Sequence, residues 1–512
     1  MVTPELGRFL AELSRDIGRQ IGLLVNRGGE VDKVIVGNER EIVIPDLSDY
    51  RLGRKRLRGV RCLHTHLKNE PLTKDDLNDL ALLRLDVMVA IGVQKNGLPG
   101  DISVAHLLPP NPENKPFEIL GPISFHRFHL DFFAFISSLE DEMERVLGAQ
   151  VNLKDRRERA ILVSVSMKNR SAQEESVEEL KELARSDNVN VLEVVLQRPK
   201  TLNPKYLMGK GKLNELIITA LQKGATLLIF DQNLTPGQVK AIGELTELKV
   251  IDRTQLILDI FARRAHTRDG KVQVELAQLK YLLPRLAERS TALSRLTGGI
   301  GGRGPGETRL EIDRRRVMDK ITRLEKELKT LSHARRERKS LRIESGIPIV
   351  SIVGYTNAGK STLLNSLTGS HIKTENLLFA TLDTTTRRLR FPREREIIIT
   401  DTVGFIQELP PDLLGAFRPT LDELKDANLL IHLVDVSHPH FEDQMVSVEN
   451  ILSELELHSI PRLLVFNKED QRDPVEVKNL CLQYEAISIS ALHRESLPKV
   501  TTAIEEHFWA PH

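Results

Sequence analysis

Apolar residues in this chain fall in short runs, and between the runs they recur every three or four positions, a pattern that predicts strands and helices in turn. In the first third, the runs at 21–25, 31–36 and 60–63 read as strands, the first two joined by the turn Asn26-Arg27-Gly28-Gly29. Helical spacing follows over 75–85, and again through Val146 after the aromatic-rich stretch 125–135. Two prolines at 112 and 116 place a loop between them, and the charged stretch 154–159 marks a boundary. Short apolar runs at 160–165, 191–196, 226–230 and 249–251, with helical patterns between, predict a small α/β layer with parallel strands. The period then lengthens. Leu276, Leu279, Leu283 and Leu286 step by three and four, as do Val317, Ile321, Leu324, Leu328 and Leu331, so an antiparallel helical hairpin is expected over 272–296 and 312–341. Pro284 should kink its first arm. Beyond 346 the strand–helix alternation returns, with apolar runs at 347–353, 397–400, 429–434, 463–466 and 486–489.

The expected fold is therefore multidomain α/β. An N-terminal α/β domain fills 1–150, a small α/β domain 155–260, the long hairpin 261–345, and a mostly parallel sheet flanked by helices 346–512. Length agrees, because 512 residues exceed what one core holds. Charge adds a restriction: 73 basic against 72 acidic residues give a net of +1, so any binding to nucleic acid must come from a local patch. Cys62 and Cys481 are the only cysteines, which excludes a disulfide framework or a thiolate zinc cluster and suits a reducing compartment. No apolar stretch is long enough to span a bilayer and residues 1–8 lack a signal-peptide pattern, so a soluble, cytoplasmic protein is expected, and it is taken to be a monomer.

Three places carry chemistry. Gly354-Tyr355-Thr356-Asn357-Ala358-Gly359-Lys360-Ser361, with Thr362 after it, lies between an apolar run and a helix, the context in which this spacing makes a phosphate-binding loop. Its N–H groups would face the α- and β-phosphates of a nucleotide, Lys360 would reach the β- and γ-phosphates, and Ser361 would take one position on Mg²⁺. Second, His64-Thr65-His66 puts two imidazoles on one face of a strand, and Asp75 or Asp76 on the next helix would complete a metal-ligand set. The stretch resembles the His-x-His…Asp pattern of JAMM-type zinc hydrolases, one residue short before Thr73 and Asp76, which implies a retained scaffold without catalysis or, alternatively, a second, zinc-dependent hydrolase. Third, the hairpin arms are joined by nine residues, Gly298-Gly299-Ile300-Gly301-Gly302-Arg303-Gly304-Pro305-Gly306, far more glycine than a turn requires. Arg303, Arg309, Arg314, Arg315 and Arg316 cluster beside this tip, and Arg335, Arg336, Arg338, Lys339 and Arg342 close the second arm, a pattern suited to phosphate or RNA. A fourth, weaker loop, Gly209-Lys210-Gly211-Lys212, precedes a helix and would suit either helix entry or a phosphate, ATP included.

The tip, continued by Glu307-Thr308-Arg309-Leu310-Glu311-Ile312-Asp313-Arg314-Arg315 and preceded by Asp252-Arg253-Thr254, Val274 to Leu279 and Leu283-Pro284-Arg285-Leu286, resembles the HflX family of ribosome-associated GTPases. The resemblance runs from about residue 192 to the C-terminus and departs at Gly302, Arg309 and Ile312, where the family has Thr, Gln and Thr; residues 1–150 lie outside it. It implies a P-loop GTPase fold for 346–512 with five nucleotide motifs. Phe379 and Thr381 open a switch that would bring Thr386, or Thr385, to Mg²⁺ and the γ-phosphate, with Thr384 replacing the family's usual proline. Asp401-Thr402-Val403-Gly404 would hold Mg²⁺ through water at Asp401 and sense the γ-phosphate at the Gly404 N–H, which with Lys360 and Thr386 forms the catalytic set. Asp470 would read guanine, Asn467 and Lys468 would brace it, and Ser490-Ala491-Leu492 would offer the Ala491 N–H to the guanine carbonyl. Phe405 stands where related enzymes carry a water-orienting glutamine, which implies slow intrinsic GTP hydrolysis stimulated by a partner, and Asn357 matches the potassium-stimulated relatives, which adds K⁺ to GTP, GDP and Mg²⁺. The family further implies binding to the large ribosomal subunit and its rRNA, splitting or rescue of stalled ribosomes under stress, and a cytoplasmic, ribosome-associated or peripherally membrane-associated location. The alternative is nucleotide-dependent rRNA remodelling or ribosome assembly.

Overall fold

The computed structural model describes residues 1–512 except 46, 48–49, 51–56, 114, 151–156, 298–308, 345, 370–377, 380–384, 393–394, 403, 407–412, 414, 416, 418–420 and 510–512, with the backbone alone at 147–150, 287–297, 309–310 and 332–344. The glycine-rich tip, Arg303, Thr381, Thr384 and Val403 thus lie outside the described residues, as do the side chains of Arg309, Arg335, Arg336, Arg338, Lys339 and Arg342. The described residues form three sheets, and the chain divides into two compact units. One comprises Met1–Ile161, Pro199–Leu228 and Ala241–Val250; the other Leu162–Arg198, Ile229–Lys240 and Ile251–His512.

In the first unit, α1 (Pro4–Ile17), β1 (Ile21–Asn26), β2 (Val31–Val36), β3 (Val60–His66), α2 (Lys74–Leu83), β4 (Met88–Val93), β5 (Pro99–Leu107), β6 (Phe117–Ser124) and α3 (Phe132–Gln150) succeed one another. The sheet runs β2-β1-β3-β4-β5-β6, and within it the β3–β4 pair is parallel. Strand side chains alternate between faces. Leu63, Val89 and Ile91 pack with Leu10 of α1 and Phe132 and Ile136 of α3 on one face, whereas Val60, Cys62, Met88 and Ala90 pack with Leu77 and Leu80 of α2 on the other. β6 was not legible as a strand, because most of its residues are exposed and Pro122 interrupts it. Next along the chain come β7 (Arg159–Val165), α4 (Arg170–Ser186), β8 (Asn190–Gln197), α5 (Lys210–Gln222), β9 (Leu227–Phe230), α6 (Pro236–Gly243) and β10 (Lys249–Asp252), residues divided between the two units with α4 and β8 in the second, and the four strands are ordered β10-β9-β7-β8.

In the second unit, α7 (Arg253–Arg264) leads into α8 (Arg268–Thr297) and α9 (Arg309–Glu344), the hairpin arms. Val272 and Leu276 of α8 are buried against Ile321 and Leu324 of α9, and the pairs Arg268–Glu327 at 2.7 Å and Lys320–Glu275 fix the antiparallel register. Pro284 lies inside α8, which continues through it. Arg314, Arg315 and Arg316 are exposed. The remaining elements are β11 (Ile349–Gly354), α10 (Lys360–Thr368), β12 (Thr385–Arg390), β13 (Glu396–Asp401), β14 (Leu429–Asp435), α11 (Phe441–Glu454), β15 (Arg462–Asn467), α12 (Pro474–Tyr484), β16 (Ile487–Ser488) and α13 (Pro498–Trp509). Their sheet runs β12-β13-β11-β14-β15-β16, parallel throughout except for β12. Leu363 and Leu364 of α10 and Val500 and Ile504 of α13 cover one face, and Val448 and Leu452 of α11 the other. Helices on both faces explain why β11 and β14 read as nearly continuous apolar runs, interrupted only by Ser351 and His432 before their last residues. No helix among the described residues is long and apolar enough to cross a membrane.

Candidate functional site

β11 ends against β14 at Gly354, where an added Cβ would lie 2.2 Å from the Leu433 carbonyl oxygen, so only glycine fits. The chain turns into α10 through Gly359, at φ 94°, where an added Cβ would fall 2.3 Å from Asn467 Nδ2. Both glycines of the motif are therefore required by neighbouring atoms as well as by the turn. The first N–H groups of α10 have no intrahelical acceptor and make an anion site.

Lys360 is buried, and its Nζ donates to the carbonyls of Gly354 at 3.1 Å and Tyr355 at 2.7 Å. Burial pushes its ammonium down to about 8, with Asp401 acting in the opposite direction. Such a lysine gains when a phosphate supplies negative charge. Ser361 Oγ donates to Asp401 Oδ2 at 2.6 Å, a hydroxyl and a carboxylate in the arrangement an oxygen-loving divalent cation takes. Thr402 Oγ1 donates to the Ile352 carbonyl at 2.8 Å, which ties the strand-end motif to β11. Thr356 Oγ1 is buried without a hydrogen-bond partner among the described residues, the state of a group that meets a polar ligand.

At the far end, Asn467 closes β15 and joins three loops: its Nδ2 donates to the Ala358 carbonyl at 2.7 Å and its Oδ1 accepts from the Ala491 N–H at 2.8 Å. The Ala491 N–H, assigned from sequence to a guanine carbonyl, is thus engaged by Asn467 in this structure. Lys468 Nζ donates to Asp435 Oδ2 at 2.5 Å.

These loops surround a cavity of about 910 Å³, ample for a nucleoside triphosphate. Tyr355, Thr356, Asn357, Gly359, Lys360 and Ser361 line it, followed by Thr362, Phe379, Thr402 and Gly404. Asn467, Lys468, Asp470, Ser490, Ala491 and Leu492 form the opposite end. Gly354, Ala358 and Asp401 stand behind the wall. Thr386 is not brought to the cavity: it is a strand residue of β12 paired with Thr400, while Thr385 pairs with Asp401. Phe379 has a second role beyond lining, since its ring packs edge-on against Phe261 of α7 at 4.6 Å. Phe405 is 2 % exposed and packs with Tyr355, Leu421 and Leu430 in the core, and its backbone bonds to Gly354 and Thr356. Its side chain lies in that core and does not line the cavity.

Sequence reasoning missed one wall. Glu174, Glu175, Glu178, Glu179 and Glu182 of α4 line the cavity. Their spacing of three and four was visible, but a charged helical stripe reads as a solvated face. Tyr355 Oη donates to Glu179, which also accepts from Arg253; Arg253 Nη1 reaches Asp231 at 3.1 Å. The phosphate loop is thereby joined to α4 and α7.

Elsewhere, Gly209 caps α5 and Lys212 pairs with Glu215 at 3.0 Å, so that loop has the features of helix entry. His64, His66 and Asp76 come together in the first unit, and Asp75 stays exposed.

Three family profiles match the chain: one described as GTP-binding GTPase N-terminal over residues 174–262, GTP-binding GTPase Middle Region over 264–342, and 50S ribosome-binding GTPase over 349–468. The chain is 46% identical over 353 residues to the GTPase HflX of Caldanaerobacter subterraneus subsp. tengcongensis, covering 69% of this chain and 81% of that protein. It is 43% identical over 322 residues to the GTPase HflX of Escherichia coli K12, covering 63% and 75% respectively. A crystal structure of a GTP-binding protein from Sulfolobus solfataricus in complex with GDP is similar at 28% identity and a TM-score of 0.38, covering 68% of this chain and 99% of that one.

Proposed function

Because the chain belongs to the HflX family of GTPases, we propose that it hydrolyses GTP to control its binding to the large ribosomal subunit, and that it splits or rescues stalled ribosomes. The observation carrying the ribosomal half is the exposed run Arg314-Arg315-Arg316 on α9 of the hairpin. Guanidinium groups bind phosphate bidentately and stack on unpaired bases, the two contacts rRNA offers. The match to a family described as a 50S ribosome-binding GTPase supports the same partner.

On this reading Lys360 and the α10 N-terminus hold the phosphates, and Asp470 selects guanine by accepting from its N1–H and exocyclic amine. Ser361 and Asp401 are the residues that would hold Mg²⁺, which offsets negative charge on the β- and γ-phosphates. Thr386 reaches the γ-phosphate only if β12 leaves its ladder, so GTP would favour an arrangement different from the one described. With Phe405 in the core, no side chain at that position orients water, and intrinsic hydrolysis is slow until the ribosome orders the site.

The test is sedimentation of the full chain with separated ribosomal subunits in GTP and in GDP. Binding to the large subunit in GTP, lost with Arg314→Glu, Arg315→Glu and Arg316→Glu combined while nucleotide binding persists, is the expected result. Equal sedimentation of the triple variant overturns the ribosomal assignment; binding to free rRNA but to neither subunit favours an rRNA-remodelling role.

A further inference from the structure

The first unit holds a cluster that the GTPase reading leaves unused. His64 and His66 have the parity of Cys62 on β3, so both imidazoles lie on the α2 face of the sheet. Both are buried, at 0 % and 1 % side-chain exposure, whereas Asp76 is 13 % exposed. Thr73 caps α2, which places Asp76 at the third helical position with its carboxylate turned back toward the cap. Thr73 N and Oγ1 each donate to Asp76 Oδ2 at 2.7 Å and fix its orientation.

Three ligand-type side chains converge there, Asp76 turning one carboxylate oxygen to each histidine. His64 Nε2 lies 2.9 Å from His66 Nε2 and 3.2 Å from Asp76 Oδ1, and His66 Nε2 lies 3.5 Å from Asp76 Oδ2. A tetrahedral site with metal–ligand bonds of about 2.0–2.1 Å has edges of roughly 3.3–3.4 Å, close to these separations. The tautomer is suitable too. His66 Nδ1 is 3.0 Å from the Glu70 carbonyl, which can only accept, so Nδ1 carries the proton and the neutral ring offers its Nε2 lone pair to the cluster. An N–H donated outward to a carbonyl is also the support that metal-bound histidines have. In the metal-free state His64 Nε2–H can donate to Asp76 or to His66 Nε2, and loss of that one proton leaves all three groups turning lone pairs on a common point.

The geometry points to a site for one divalent transition-metal ion, of the zinc class, held by His64, His66 and Asp76 with a fourth position open to water or a ligand. Two histidines and one carboxylate suit zinc and its neighbours, and three protein ligands are the number that leaves a position open. The site shares no residue with the nucleotide cavity. A second His-and-carboxylate group, Glu175, His440 and Asp443, is partly exposed, with separations of 3.6 and 3.9 Å from His440 Nδ1, and serves as the internal comparison.

The experiment uses the full chain, stripped with EDTA, dialysed against Mg²⁺ and equilibrated with Zn²⁺ or Co²⁺. Metal content after gel filtration, by mass spectrometry, should be about one equivalent, and the Co²⁺ form should show the visible ligand-field absorption of a four-coordinate site. His66→Gln and Asp76→Asn should each remove the metal and the absorption, His440→Gln should keep both, and Thr73→Ala should weaken affinity about 10- to 100-fold. Far-UV circular dichroism and resistance to limited proteolysis of residues 1–150 unchanged in His66→Gln and Asp76→Asn show that the first unit remains folded. Wild-type protein that retains no Zn²⁺ overturns the proposal without reference to any variant. So does metal that survives His66→Gln and disappears with His440→Gln. A protonated His66 paired with Asp76 would give the first of these results.

Discussion

Replacing Lys360 by methionine should stabilise the nucleotide-free protein while abolishing its response to GTP. The drop of the ammonium from its ordinary 10.5 to about 8 corresponds to roughly 3 kcal/mol against the charged form, at about 1.4 kcal/mol per pH unit. Methionine fills nearly the same space without charge, but it forfeits the hydrogen bonds to the Gly354 and Tyr355 carbonyls, each about 1 kcal/mol. The net is a gain of about 1 kcal/mol, or roughly 2–4 °C in the unfolding midpoint of a domain of this size. Thermal unfolding followed through the transition that GTP shifts is the assay, since a multidomain chain need not melt in one step. pH supplies an independent arm. Between about 8 and 10.5 the unfolded state binds more protons at this lysine than the folded state, so wild-type stability rises with pH in that window. The advantage of the variant should therefore be complete at pH 7, vanish near about pH 9 and reverse above it. A variant less stable than wild type at pH 7 without nucleotide, a gap insensitive to pH, or a midpoint that GTP still raises would each refute the reasoning.

Asp470→Asn exchanges an acceptor for a donor at the base, so GTP affinity should fall more than about 100-fold while xanthosine triphosphate gains; fluorescent-nucleotide titration reads both. Phe405→Gln should not accelerate hydrolysis, because the backbone directs that side chain into the core; a loss of about 3 kcal/mol in unfolding free energy is expected instead, and a higher kcat would contradict the placement. Glu175→Gln with Glu178→Gln removes negative charge from the cavity wall and should tighten GTP binding about two- to fivefold in low salt, an effect lost near 0.5 M. Asn357 lines the phosphate end, and hydrolysis should run faster in K⁺ than in Na⁺; equal rates remove the potassium assignment.

What the sequence showed and what it hid follow from the range of each signal. The run 347–353 and the phosphate loop were legible because a doubly covered strand is mostly apolar and the turn itself needs glycine, as at Gly359 with φ 94°; the crowding by Leu433 and Asn467, distant in sequence, was not legible. The pairing of His64 with His66 was legible through the two-residue period of a strand. The choice of Asp76 over Asp75 was not, because it depends on where α2 is capped, and Thr73 fixes that. The position of Phe405 was plain, but the destination of its ring in the Leu421 and Leu430 cluster required the tertiary structure. The glutamates of α4 were readable as a stripe, yet nothing near them in sequence indicates that Tyr355, far along the chain, meets them.

Asn467 gives the pocket a property of its own. One side chain clasps Ala358 and Ala491, so the base end and the phosphate end are held in register by the polypeptide itself. The shape of the receptacle is stored in the chain and is not lent by its occupant. When GDP departs, the walls have an internal scaffold that needs no ligand to stand, and an incoming nucleotide meets a prepared surface. Docking and departure of a nucleotide then need not reassemble these two loops, and rearrangement is left to β12 and its neighbours.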